Sequence, residues 1–160
     1  PILSFTAEEI WRMLPASARG DAALFSVHLA RFPEADSRWA NAKLEERWDQ
    51  LLAVRVAVQG ALEAKRREKV IGSSLEATVR IQANPERYEL LKQYEPDLPA
   101  IFIVSHVEVS QVQNLPSPDF AVDVLKAQGR KCERCWNYRE SVGRDAAHPT
   151  ICDRCIEAIQ

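Results

Sequence analysis

The sequence predicts an α+β chain of three parts: a helical segment built around one long helix, a small unit mixing strands and helix, and a four-cysteine metal module. Three observations predict it. Between Ser37 and Lys69 there is no proline and only one glycine, and apolar residues recur there at helical spacing. After Gly72 the period changes from helical to alternating. All four cysteines stand in two Cys-x-x-Cys pairs, Cys132/Cys135 and Cys152/Cys155, with sixteen residues between them. The divisions fall at 1–72, 73–128 and 129–160.

Within the first part, PILSFTAEEIWRML reads as a helix start. Thr6 and Glu9 have capping-box spacing, Glu8 and Glu9 suit the positive helix N-terminus, and Ile10, Trp11 and Leu14 make an apolar face that Pro15 ends. A less regular stretch with Gly20 and Pro33 follows, in which His28 is an ordinary loop or packing residue. The long helix carries Leu44, Trp48, Leu51, Leu52, Val56 and Leu62 toward other helices, with Trp39 and Trp48 as core aromatics. Its end is basic: Lys65, Arg66, Arg67 and Lys69 either complement the helix dipole or offer an edge for phosphates. Gly72 suits a C-cap or turn.

In the second part Ala77, Val79, Ile81 and Ala83 alternate with Thr78, Arg80 and Gln82, as in a half-buried strand. Pro85 opens a short helix, PERYELLKQY, which Pro96 and Pro99 end. IFIVSHVEV is expected as a second strand and FAVDVLKA as a third, with Phe120, Val122 and Val124 on one face.

The third part carries the clearest chemistry. Two knuckles returning on each other offer four sulfurs to one tetrahedral ion, a strong signal for a single structural Zn2+ held by Cys132, Cys135, Cys152 and Cys155. Two disulfides are the rival arrangement; no secretory signal opens the chain to favour them. His148, beside Pro149, reads as a loop residue. About thirty residues bury too little apolar surface to fold unaided, so metal binding would supply folding energy. Trp136 follows the first knuckle, with Lys131, Arg134, Arg139, Arg144 and Arg154 around the ligands. That set suits stacking on an unpaired base with phosphates nearby; equally, Trp136 could pack over the metal as part of a tiny core.

Composition limits the function classes. A formal charge of −2 and a pI near 6.0 disfavour nonspecific polyanion binding, so any nucleic-acid contact must be local. No apolar run is long enough to span a membrane, and clustered cysteines fit a reducing, cytoplasmic compartment. No Gly-rich phosphate loop, nucleophile elbow or His-Glu-x-x-His occurs. Ser105 and His106, as strand neighbours, point to opposite faces and make no nucleophile–base pair. No catalytic residue is assigned. The opening at Pro1 with an apolar phrase reads as a piece cut from something longer.

Several phrases together resemble one family. PILSFTAEEIW is similar to a late helix in the anticodon-binding bundle of the class I synthetases for isoleucine, valine and leucine. SVHLARFPE, EKVIGSSLEATV and KCERCW…VG…HPTICDRC resemble successive segments of the bacterial isoleucyl-tRNA synthetases, and cover essentially the whole chain. The resemblance implies a C-terminal fragment: the tail of the anticodon-binding bundle, a junction unit and a zinc module. It implies the anticodon arm of isoleucine tRNA and the rest of the parent synthetase as partners, with a monomer and no membrane. It implies RNA contact at Trp136, with its basic neighbours Lys131, Arg134 and Arg139; Arg66 and Arg67, from the basic helix end, are the further candidate RNA-contacting positions. The HIGH-like and KMSKS-like signatures and the editing domain are absent, so ATP, isoleucine and the ligase chemistry belong to parts of the parent outside this sequence.

Two other readings remain. A DNA-repair glycosylase also ends in a four-cysteine finger and uses an N-terminal proline, but Ile2-Leu3 lack the acidic neighbour expected beside it. A structural clip would use zinc only to stitch the end of the chain to its body.

Overall fold

The computed structural model describes residues 3–19, 24–32, 34–115 and 118–159, in two compact units, one up to Asn41 and the other from Ala42. It is mixed helix and sheet, with the expected long helix and four-cysteine module.

In the first unit helix α1 spans Ser4–Met13. Leu3 precedes it and no side chain caps it, so the expected Thr6–Glu9 box is not formed: Thr6 already lies inside the first turn. Glu8 ties α1 to a neighbouring turn instead. Its carboxylate accepts from Ser26 Oγ at 2.8 Å and from the Val27 N–H at 3.2 Å. The Ser26 bond leads in holding that carboxyl below the usual range. Trp11 is buried and its Nε1–H donates to the Leu24 carbonyl at 3.2 Å, whereas Ile10 is exposed. Leu14 turns extended before Pro15, which stops the helix as expected. His28 Nε2 donates to the Ser4 carbonyl at 3.2 Å. Gly20 and Pro33 lie outside the described residues.

The long helix α2, Ala42–Arg67, begins later than Ser37; Ser37–Trp39 is a separate 3-10 turn capped by Asp36. Trp39 is 79% exposed, and Trp48 is partly exposed, meeting Tyr94 edge-on at 6.2 Å. Neither is the core aromatic expected. The buried row is Leu51, Val54, Val58 and Leu62, while Leu44, Leu52 and Val56 face outward. Two adjacent apolar rows run along this helix, and periodicity alone does not say which one the sheet receives. The helix ends in a Schellman turn. Lys69 is left-handed (φ 59°), its N–H donates to Arg66 O, and the Val70 N–H donates to Lys65 O, both at 3.0 Å. Gly72 serves in the following turn, donating its N–H to Glu76 at 3.0 Å.

Strand β1 (Ala77–Ala83) is central in a three-stranded sheet. It pairs parallel with β2 (His106–Gln111) and antiparallel with β3 (Phe120–Lys126). The parallel connection runs through α3 (Pro85–Gln93) and α4 (Leu98–Phe102). Here the expected second strand is corrected. Residues 101–105 are not strand, because Pro99 sits in the first turn of α4, a position that tolerates proline, and Ile101 and Phe102 belong to that helix. Ile103, left-handed at φ 58°, closes it.

One face of the sheet, with Val79, Ile81 and Val124, packs beneath the α2 row and Leu90, Leu91, Leu98 and Phe102. Arg55 donates to Ile101 O at 3.0 Å, and Arg87 bridges Gln50 and Asp119. The opposite face carries Thr78, Arg80, Gln82, His106, Glu108 and Ser110. Among the described residues no helix is long and apolar enough to cross a membrane.

Candidate metal centre and nucleic-acid interface

Residues 129–159 form a two-stranded ribbon, β4 (Arg130–Lys131) with β5 (Tyr138–Arg139), and a terminal helix turn α5 (Asp153–Glu157). The first knuckle is the ribbon's loop: the Cys132 N–H donates to Asn137 O at 2.9 Å and the Trp136 N–H to Cys132 O at 2.8 Å. The second knuckle opens α5, with the Cys155 N–H on Cys152 O at 2.9 Å. The Glu133 N–H bonds Thr150 O at 3.1 Å and joins the two.

This folding brings four sulfurs together. Cys132 Sγ lies 3.8 Å from Cys155 Sγ, Cys135 Sγ lies 3.7 Å from Cys152 Sγ, and all four lie within 4.8 Å of one another. Sulfurs about 2.3 Å from a tetrahedral zinc stand about 3.8 Å apart, so the donor set fits one Zn2+. All four thiols are unbridged, which overturns the disulfide arrangement. His148 stays out of the cluster; its N–H bonds Asp145 at 2.9 Å, as a loop residue. Burial pushes Cys152 up to about 12, with neighbouring thiols adding to it. Cys135 feels burial most, but bonds from Asn137 and from the neighbouring Cys132 and Cys155 thiols together outweigh it and bring the thiol down to about 6. With four thiolates and no open position, the metal would be structural; its chemistry is to hold the two knuckles together.

Two glycines make the ribbon possible. A Cβ at Gly129 (φ 88°) would stand 2.4 Å from the Arg139 carbonyl carbon, and one at Gly143 (φ 90°) would meet Arg130 Nη2 at 1.4 Å. Arg130 occupies the latter space because its Nη2 donates to Val142 O at 2.6 Å.

Trp136 is not part of the module's core. It is 60% exposed, and the cluster around the sulfurs consists of Val142, Ile151 and the cysteines. Its backbone is left-handed at φ 65°, an uncommon state for a bulky residue that the knuckle turn enforces. Lys131 Nζ lies over the ring, 5.3 Å from its centre. Arg134 is exposed and Arg139 half-buried on the same module. Arg66 and Arg67 sit apart from it at the end of α2; Arg66 is ion-paired with Glu63, and Arg67 is exposed with no ion-pair partner among the described residues.

The module is clipped to the sheet through the backbone of one residue, Tyr138. Ser105, fully buried, accepts the Tyr138 N–H at 2.7 Å and donates to Leu75 O at 2.5 Å. His106 Nε2 donates to Tyr138 O at 2.9 Å, which fixes the proton on that nitrogen. Sequence reasoning dismissed both residues as a catalytic pair and missed this role. Their partner is backbone 33 and 32 residues away, and no side-chain pattern signals it.

Comparison with known proteins finds two matching segments. Residues 1–81 match the family described as the anticodon-binding domain of tRNA ligase. Residues 129–158 match that described as the zinc finger found in FPG and IleRS. The isoleucine–tRNA ligase of Syntrophotalea carbinolica is 47% identical over 99% of this chain, that of Dichelobacter nodosus 44% over 99%, and that of Geobacter sulfurreducens 41% over 100%. The chain spans only 16–17% of the length of these relatives. The finger's family is shared between two protein groups and does not discriminate; the match over 1–81 does. The chain belongs to the anticodon-binding domain family of tRNA ligases, and a segment similar to the zinc finger found in FPG and IleRS follows that domain.

Proposed function

We propose that this chain is the part of a cytoplasmic, monomeric isoleucine–tRNA ligase that grips the anticodon arm of isoleucine tRNA, while activation and transfer occur in the rest of the parent enzyme. One observation carries the reading: Trp136, the aromatic beside the first knuckle, is held outward on a cysteine-anchored turn instead of packing inside it. Single-stranded RNA loops are recognised by aromatic side chains that take an unstacked base, with cations on adjacent phosphates. Trp136 would take the base; Lys131, Arg134 and Arg139 would meet the backbone beside it. Arg67, exposed, and Arg66, shared with Glu63, would meet phosphates farther along the arm.

The activity for which the relatives are named supports isoleucine tRNA as the partner, and Cys132, Cys135, Cys152 and Cys155 would hold the Zn2+ that keeps Trp136 in place. The test is binding of a hairpin RNA copying the isoleucine tRNA anticodon arm, read by fluorescence anisotropy against a hairpin of unrelated loop sequence. Preferential binding that Trp136→Ala weakens supports the reading; equal affinity for both hairpins overturns it.

A further inference from the structure

The bond between Ser105 and Tyr138 reaches farther than the module's edge. Its donor, the Tyr138 N–H, shares one peptide group with the Asn137 carbonyl, and that carbonyl accepts the Cys132 N–H at 2.9 Å. One peptide group is thus held at both ends, by the sheet and by the knuckle. The bonds run without a break from the Leu75 carbonyl, through the Ser105 hydroxyl and this peptide, to the amide of one of the four clustered cysteines. His106 grips the next peptide, donating its Nε2–H to the Tyr138 carbonyl at 2.9 Å. Asn137 also braces the other cysteine of the knuckle, its Nδ2 donating to the Cys135 carbonyl at 3.4 Å.

The sheet end of this relay is fixed. Ser105 is fully buried, its own N–H donates to the Ala77 carbonyl of β1 at 3.2 Å, and His106 sits opposite Thr78 in the parallel pairing. The module has little to hold it in shape. Apart from the cysteines its apolar cluster consists of Val142 and Ile151, and it shares no residue with the cluster under the sheet. Among the described residues no ion pair joins the two. A segment with so small a core takes its folding energy from the metal. A fixed neighbour that keeps one ligand turn in its bound shape then reduces the ordering that binding must impose. Groups beyond the ligands themselves commonly tune a metal site in this way. We propose that Ser105 and His106 are positioning residues of the metal centre: they hold the first knuckle from the sheet, so that zinc binding in the module and folding of the sheet unit stabilise each other. Coupling of this kind is reciprocal, so it is readable from either side. Nothing in it depends on RNA.

The experiment uses the whole chain under reducing conditions. Zinc affinity is read by competition with a chromophoric chelator, and melting is followed with and without zinc. His106→Ala should weaken zinc binding about three- to tenfold, the size expected for one net hydrogen bond, and should shrink the rise in melting temperature that zinc produces. His106→Gln should restore both, because its side-chain amide can donate from the place of Nε2. Ser105→Ala leaves the Tyr138 N–H without its acceptor and should weaken zinc binding at least as much. Melting temperatures lowered equally with and without zinc, at unchanged zinc affinity, would mean that the two residues only support the sheet, and would overturn the proposal. Failure of His106→Gln to restore zinc affinity also overturns it. The two His106 variants, at a half-buried position on an edge strand, decide the matter even where Ser105→Ala does not fold.

Discussion

Lys131 Nζ stands 5.3 Å above the centre of the Trp136 ring, so one face of the indole is covered by a cation and the other remains for a ligand. On the proposed reading the uncovered face would take the base. Base–aromatic stacking is worth about 1–3 kcal/mol, so Trp136→Ala is expected to weaken hairpin binding roughly 5- to 150-fold. Phe should retain part of the affinity. Zinc content and melting temperature should hardly move, since the side chain is mostly exposed. A large fall in melting temperature with unchanged affinity would show that Trp136 is a packing residue.

Lys131→Ala should cost less. An exposed cation–π contact contributes about 0.5–1 kcal/mol, and loss of one phosphate contact adds a salt-dependent part. The expected result is a drop of several-fold at low salt that narrows as KCl rises. A drop of the same size at every salt concentration would mean that Lys131 only orients the ring.

Metal loading should release protons. In the zinc-free module Cys152, pushed up by burial to about 12, carries its proton at pH 7, and Cys135, brought down to about 6, is largely a thiolate. Thiolates bind zinc, so loading must displace at least the Cys152 proton, and apparent affinity should rise with pH through the neutral range. Titration calorimetry in buffers of different ionisation enthalpy measures the release directly. An enthalpy independent of buffer would contradict it. X-ray absorption should give one metal per chain with four sulfurs at about 2.3 Å.

The two ribbon glycines should differ in tolerance. Alanine at Gly143 would displace the far end of Arg130, which can swing away and lose its bonds to Val142 O. Alanine at Gly129 would meet the backbone of Arg139 and Glu140, which cannot. Both also strain a left-handed position. Gly129→Ala should abolish tight zinc binding, and Gly143→Ala should keep it with a lowered melting temperature. Equal behaviour of the two would argue that the strained backbone, common to both, dominates over the clash.

On α2 the two apolar rows should separate cleanly. Leu51→Ala removes a fully buried side chain and should destabilise the second unit by about 2–5 kcal/mol. Val56→Ala, at a position 68% exposed, should stay within about 0.5 kcal/mol. Denaturant midpoints of the two variants decide it.

The alternation of Ala77, Val79, Ile81 and Ala83 was legible, because a strand with one buried face must repeat every two residues. The sulfur cluster was legible for a similar reason: four identical ligands at fixed spacing admit few geometries. What was not legible depends on choices made in three dimensions. Trp39 and Trp48 have core-like chemistry, yet the helix turned a neighbouring row to the sheet. Ile101 and Phe102 have strand-like chemistry, yet Pro99 favoured a helix start before them. Ser105 and Tyr138 are 33 positions apart and gave no joint signal until the module folded back over the sheet.

A two-stranded ribbon this short normally leaves peptide groups along its rim open to any passing strand, the usual starting point for self-association. At Tyr138 that rim is closed: Ser105 holds the N–H and His106 the carbonyl, so this residue offers an incoming strand neither donor nor acceptor. The contact that orients the finger therefore also guards its edge, and a chain stripped of zinc, with its ribbon loosened from β2, would open that edge to pairing.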